Sequence, residues 1–485
     1  MNSSKQERFN LLKNMFNSFN YNGKIFLLGF GAIGKPILYM LLKIVKMDPK
    51  NVTVIDKMNK NNENQYFRAL GVNFIKCLIT KDSYRHLLNN IAKNDIIIDC
   101  AYNIYTYDML QLCQEKGCHY INSCIEFWDF EGVADPILYS LYYKQEELQK
   151  LNRSYPVKNF NAIISMGCNP GNVSIWTKLG LEKIAKKNNI PILGSFGELA
   201  KKIGVQVIHV SERDTQGTTT PKKVNEYCNT WASDGVSFCE EALGCIEASW
   251  GTHEKSVPED KLLLKDNFII INRMCIHTMA QSVVPLYGRY FGYVIRHDEA
   301  NTIGKHLEVK EHDKIVYKPS VYYVYHPCDS ARISMEEVIE REFEYQNKWR
   351  LLTDEINYGR DILGLTYFLE NGDVYWIGSV LSIDEAREIF ENKFNEWINA
   401  TNVQVMAGYI SGILHIMDLI KNKENKGLMV PDDLPHHKLW KYMKPFLGDF
   451  IFKKIDNFQL IKYAKSFSGK NSYTKDWQFD NFIVD

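Results

Sequence analysis

The stretch KIFLLGFGAIGKPILYMLLKIV, residues 24 to 45, restricts the possible folds more than any other part of the chain. Ile25 to Leu28 read as a short apolar strand, the glycine-rich GFGAIG follows at once, and an apolar helix begins without a break. This is the G-x-G-x-x-G spacing of a dinucleotide-binding turn. Gly29 permits the tight turn, Gly31 lets the backbone approach a pyrophosphate, and Gly34 lets helix and strand pack closely. The helix N-terminus then offers amide donors and partial positive charge to phosphates. A second strand, NVTVIDK at 51 to 57, carries Asp56 near its end. An acid there accepts ribose hydroxyls and repels a 2′-phosphate, which favours NAD over NADP. A bare glycine turn without a ligand needs neither the flanking helix nor this acid.

Further apolar strands at 72 to 76 (VNFIK), 95 to 100 (DIIIDC) and 119 to 124 (HYINSC) are interleaved with helical periodicity. That alternation predicts an α/β unit, a Rossmann-like, doubly wound parallel sheet, over residues 1–155. The charged segment at 144 to 159 reads as a helical connection to a larger α+β unit at 156–440. Aromatic-rich runs such as VQVIHVSERD (205 to 214), KLLLKDNFIIIN (261 to 272), PLYGRYFGYVIRH (285 to 297), SVYYVYHP (320 to 327) and DVYWIGSVLS (373 to 382) predict a mixed sheet there. From Asp384 onward the pattern is helical, and the final helices, residues 440–485, are expected to pack back on the first unit.

Composition bounds the function. The chain has 485 residues, 45% hydrophobic and 24% charged, with a formal net charge of zero and a pI near 7.2. No global basic field favours nucleic acid or an anionic membrane. The N-terminal residues lack the apolar core of a signal peptide, and no run of about 18 apolar residues predicts a membrane span. Eleven cysteines without a C-x-x-C pair are expected to be reduced thiols of a cytoplasmic protein, with no structural metal and no disulfide framework.

The remaining motifs suggest where chemistry occurs. GCNPGNVS, 167 to 174, is either a plain turn or a loop that delivers backbone and amide groups to a ligand. Acids recur beside aromatics: Glu126 near Trp128, Glu212 and Asp214 in HVSERDTQ, Asp234 in NTWASDG with Glu240 and Glu241 after it, and Asp361 in DEINYGRDILG. One such acid is ordinarily a solvated surface group. Several at strand ends, with tryptophans, fit a pocket for a cationic molecule, because carboxylates and aromatic faces both hold ammonium groups. Trp231, set among turn-forming residues, either covers the core or offers its ring to such a ligand.

GFGAIG, GCNPGNVS, SERDTQ, NTWASDG, SWGTHE, YGRYFGYVIRHDEANTI and LLTDEINYGRDILG, in this order from residue 29 to 364, resemble the bacterial homospermidine synthases. These are NAD-dependent relatives of the saccharopine dehydrogenase group. ATNVQVMAGYISGILHI and PDDLPHHKLW extend the likeness into the C-terminal region. The resemblance implies a homodimeric enzyme acting on putrescine, or on spermidine with putrescine, and using NAD as a recycled prosthetic group. It implies Trp231 as a cation–π platform, with Glu126, Asn169, Glu212, His297, Asp361 and either Glu240 or Glu241 as further site residues. It also implies cofactor contacts from Gly29, Gly31, Ile33, Gly34, Asp56, Ala101, Asn103, Cys124, Gly167, Asn169 and Pro170. Two other readings stay open. An amino-acid dehydrogenase of the lysine or saccharopine type needs an arginine for the α-carboxylate, for which Arg213, Arg289 and Arg296 are candidates. A catalytically idle NAD-binding protein would keep the glycines without needing the acids or Trp231.

Overall fold

A computed structural model describes residues 2–58, 61–128, 135–232, 241–464 and 468–484. The first sheet is seven-stranded and wholly parallel. Its strands are β1 (Ile25–Leu28), β2 (Val52–Asp56), β3 (Asn73–Lys76), β4 (Ile96–Asp99), β5 (His119–Ile121), β6 (Asn161–Ile163) and a last strand, Gly427–Met429. Their spatial order is β3-β2-β1-β4-β5-β6 and then Gly427–Met429, so the chain reverses direction across the sheet between β1 and β4. Ligands of doubly wound sheets sit at that crevice, outside the carboxyl ends of the strands. The sheet draws its last two strands from beyond residue 155.

The apolar strands β1 and β4 are buried at every position. Helix α1 (Gly34–Ile44) is buried along most of its length, as its nearly unbroken apolar sequence requires. Gly29 has φ of +84°, a left-handed conformation that favours glycine. A Cβ on Gly34 would lie 2.3 Å from the Gly29 carbonyl oxygen, so the third glycine of the motif is required for the helix to start this close to the turn.

The second sheet has eleven strands of mixed direction. At its centre β7 (Val205–Asp214) lies between β8 (Ser320–His326), parallel to it, and β9 (Arg360–Leu369), antiparallel. KLLLKDNFIIIN, which reads as one run, folds as a hairpin of Lys261–Lys265 and Phe268–Met274. Helix α2 (Asn172–Lys187) follows the GCNPG loop, and helix α3 (Ala400–Lys421) packs between the two sheets. By length and composition α3 could cross a membrane, which refines the sequence expectation, but 83% of its apolar window is buried inside the protein. It is a core helix. A Cβ at Gly408 would lie 1.9 Å from the Gly167 carbonyl, so α3 and the GCNPG loop meet backbone to backbone. The C-terminal region does not simply fold back on the first sheet. Helix α4 (His436–Met443) packs on α2 and α3, and Asp449–Ile455 joins the second sheet as an edge strand. The ten cysteines among the described residues are free thiols.

Candidate active site

A cavity of about 220 Å³ connects the glycine turn of the first sheet with the carboxyl ends of β7 and β8. At its first end, the backbone of Gly31, Ala32 and Ile33 opens α1 toward the space. Asp56 ends β2, and its carboxylate accepts from the backbone N–H of Phe30 (2.6 Å) and Met58 (2.7 Å), which fixes the acid beside the turn. Asp99, Ala101 and Cys124 follow the ends of β4 and β5 and line the middle, together with Gly167, Asn169 and Pro170 from the loop before α2. Burial pushes Asp99 up to about 7, although Tyr120 and the Ala101 N–H donate to it. Gly29, Gly34, Asp56 and Asn103 do not line the cavity; the first two shape the turn, and Asn103 adopts φ of 60° just after the Asp99–Ala101 turn. A glycine turn opening a helix, with an acid at the end of the adjacent strand, is a donor and acceptor set that fits a dinucleotide.

The other end is acidic. Glu126, Glu212 and Glu241 line it beside Trp231, His297, Tyr323 and Tyr325. Alternation along β7 places Glu212 and Asp214 on one face, and the antiparallel register sets Asp361 of β9 directly opposite Asp214. All three acids are almost wholly buried, at 2%, 2% and 0% exposure. Tyr323 donates to Glu212 (2.7 Å) and so does the Asn169 amide (3.1 Å). Asp361 lies behind Glu212, outside the cavity lining, and receives a hydrogen bond from Gln404 of α3 (2.9 Å). Burial raises Glu212 to about 7 and Asp214 to about 6. Burial raises Asp361 well above the ordinary carboxylate range, and the neighbouring Glu212 and Asp214 charges add to it. Two carboxyls in contact cannot both ionise at this depth.

The Trp231 turn is held from several sides. The Asn229 side chain accepts from the N–H groups of Trp231 (2.9 Å) and Ala232 (2.8 Å), the side-chain-to-backbone cap that asparagine commonly makes in turns. The Thr230 hydroxyl donates to Asp214 (2.7 Å), and Asn399 donates to the Thr230 carbonyl (2.8 Å). The indole meets Tyr325 edge-on at 5.7 Å between ring centroids. Trp231 is thus both packed against the core and part of the cavity wall. His297 packs on the Tyr323 ring, shares a hydrogen bond with Glu299 (3.0 Å) and lies 3.6 Å from Glu241. Burial would lower the imidazole pKa, but the Glu299 and Glu241 carboxylates outweigh it and hold it well above its ordinary value. Glu241 faces the cavity; Glu240 lies outside the described residues.

No lysine or arginine is among the described residues that line this cavity. Arg213 points away from Glu212 and covers the Tyr287 ring at 4.8 Å. Arg289 covers Phe458 at 5.1 Å, and Arg296 is buried against Glu247 at 3.5 Å. Arg213 and Arg289 do not line the site, whereas Arg296, already paired with Glu247, lines a small adjoining cavity with Glu126, Glu241 and His297.

Residues 25–163 match the family model described as the saccharopine dehydrogenase NADP binding domain. Homospermidine synthase from Blastochloris viridis is 29% identical over 96% of this chain and 98% of that protein. The enzyme of the same name from Mesorhizobium japonicum is 27% identical, over 95% of this chain and 96% of its own. The crystal structure of homospermidine synthase from Legionella pneumophila, in complex with NAD, is 31% identical. It superposes with a TM-score of 0.86 over 97% of this chain and 99% of that one. The chain belongs to the homospermidine synthase family. Within the family fold, sequence reading missed Tyr323, Tyr325, Asp99, Gln404 and Tyr409 as site components. The alternation of SVYYVYHP could have revealed the two tyrosines, since residues 323 and 325 share a face of β8. Gln404 and Tyr409 carry no local signal, because only packing brings α3 against both halves of the cavity.

Proposed function

We propose that this chain is a homospermidine synthase that makes homospermidine from two putrescines, or from spermidine and putrescine, releasing ammonia or diaminopropane. The observation that carries this is a single cavity with a dinucleotide turn at one end and an acidic, aromatic, arginine-free pocket at the other. Gly31, Ala32 and Ile33 would hold the NAD phosphates, and Asp56 would accept the ribose hydroxyls. When bound, NAD accepts a hydride from one diamine and returns it after the second amine has replaced ammonia. The protein's part is to hold two ammonium-bearing chains and to move protons. Trp231 and Tyr325 supply π faces to the substrate's charged end, at about 0.5–2 kcal/mol per contact. Glu212, tuned close to neutral pH, takes a proton from an ammonium so that a free amine can react. His297, held as imidazolium, fixes Glu241 against the substrate. The reaction needs a water-poor site at this end, because water would hydrolyse the imine between the two hydride transfers. Like its family, the chain is proposed to act as a homodimer.

The test is incubation of the purified protein with putrescine and NAD⁺, with polyamines read by mass spectrometry. Homospermidine with ammonia, and no lasting NADH, supports the proposal. Steady NADH accumulation points to an amino-acid-type dehydrogenase, and absence of product to an idle binder.

A further inference from the structure

Far from the cavity, one group among the described residues has the composition of a metal site. Glu182 of α2 accepts from His436 Nε2 at 2.9 Å and from His437 Nε2 at 3.1 Å. The three donor atoms all lie within 4.8 Å of one another. His436 and His437 open helix α4. Consecutive residues on a helix point about 100° apart and do not normally face one partner. Here the two imidazoles lean together, with centroids 4.0 Å apart, and both turn Nε2 to the same carboxylate oxygen.

We propose that Glu182, His436 and His437 bind one divalent transition-metal ion of the zinc class. Two imidazoles and a carboxylate form a donor set that zinc accepts in a tetrahedral site with the fourth position open. Bonds of about 2.0–2.2 Å place tetrahedral donors roughly 3.4 Å apart. The two Glu182–imidazole spacings, 2.9 and 3.1 Å, are slightly shorter than that value, so small side-chain rotations admit an ion. The scaffold around the three ligands is rigid on one side and open on the other. The Phe196 ring braces His436 edge-on at 5.2 Å. Lys178, one turn before Glu182 on α2, donates to the carbonyls of Asp432 and Leu434 at 2.7 Å each and so holds the segment that leads into α4. The His437 side chain is 65% exposed, leaving water access to the fourth position.

Glu182 stands ten residues into α2, about 15 Å along the helix from the loop that lines the cavity. The ion therefore cross-links α2 to α4 and takes no part in the reaction. The experiment uses the full-length chain without an affinity tag, stripped with chelator and titrated with Zn²⁺ by calorimetry and with Co²⁺ by visible absorption. The expected result is one ion per chain, the intense bands of tetrahedral Co²⁺, and a rise in melting temperature on adding Zn²⁺. His437→Ala and Glu182→Gln should each weaken binding at least tenfold, and His437→Ala should leave homospermidine formation without added metal unchanged. If the unaltered chain binds no stoichiometric ion, Glu182 only pairs with the imidazoles and the proposal fails. It fails equally if both variants bind with unaltered affinity, since the ion then lies elsewhere.

Discussion

Trp231 and Glu212 carry the sharpest consequences at the scale of single residues. Trp231→Ala removes a ring in the cavity wall and should lower kcat/KM for putrescine by roughly tenfold to thirtyfold, the equivalent of about 1–2 kcal/mol, while NAD affinity is retained. Unchanged diamine kinetics would remove the cation–π assignment. Glu212 has its carboxyl raised from an ordinary 4.5 to about 7 by burial. As the base it must be ionised, so kcat/KM should climb with pH through about 7, and Glu212→Gln should abolish that limb and cost about 10²–10⁴ in rate. Stability runs the opposite way. The folded chain holds this proton more tightly than the unfolded one, so the associated stability is present below about 4.5 and is lost as pH rises through about 7. Glu212→Gln stays neutral and should unfold at a higher temperature than the unaltered chain at pH 8, by the equivalent of about 1–3 kcal/mol. Equal melting temperatures there would contradict the buried-acid description. Asp56→Ala should weaken NAD binding, as read by calorimetry; an unaltered affinity takes Asp56 out of the ribose site.

Elements matter because three of them converge on the buried acids. The face of β7 that carries Glu212 and Asp214 meets Asp361 on β9, and α3 closes the group through Gln404. Asp214 never reaches the cavity, yet it anchors the Trp231 turn through Thr230. Thr230→Val should therefore lower kcat/KM for the diamine by about tenfold, the scale of one hydrogen bond to a charged group, and leave NAD affinity alone. Thr230→Ser should restore activity. A serine variant as impaired as valine would show that bulk, not the hydrogen bond, sets the turn. Much of this was legible beforehand. β1, α1 and β2 follow from apolar runs and glycines, since their stabilising contacts are local in pattern. The pairing of Asp361 with Asp214 was not legible, because the strand ILGLTYFL after Asp361 is buried on both faces and shows no alternation to mark its inner side. KLLLKDNFIIIN read as a single β-rich run and not as a hairpin, because its turn, Asp266–Asn267, is only two residues long.

At the scale of the whole molecule, the two sheets divide the work and α3 joins them. Tyr409 of α3 donates to the Asp99 carbonyl at the cofactor end (2.6 Å), while Gln404, five residues earlier, holds Asp361 at the substrate end. One buried helix therefore sets the distance between cofactor and diamine. Recycling of a cofactor that never leaves is the central claim. It is tested most directly with putrescine deuterated at its terminal carbons, incubated with the enzyme and unlabelled NAD⁺ and followed by mass spectrometry. The account predicts homospermidine that keeps every deuterium, one ammonia per product, and no deuterated NADH in solution. Loss of a deuterium from the product, or build-up of deuterated NADH, would show that the abstracted hydride is not the one returned.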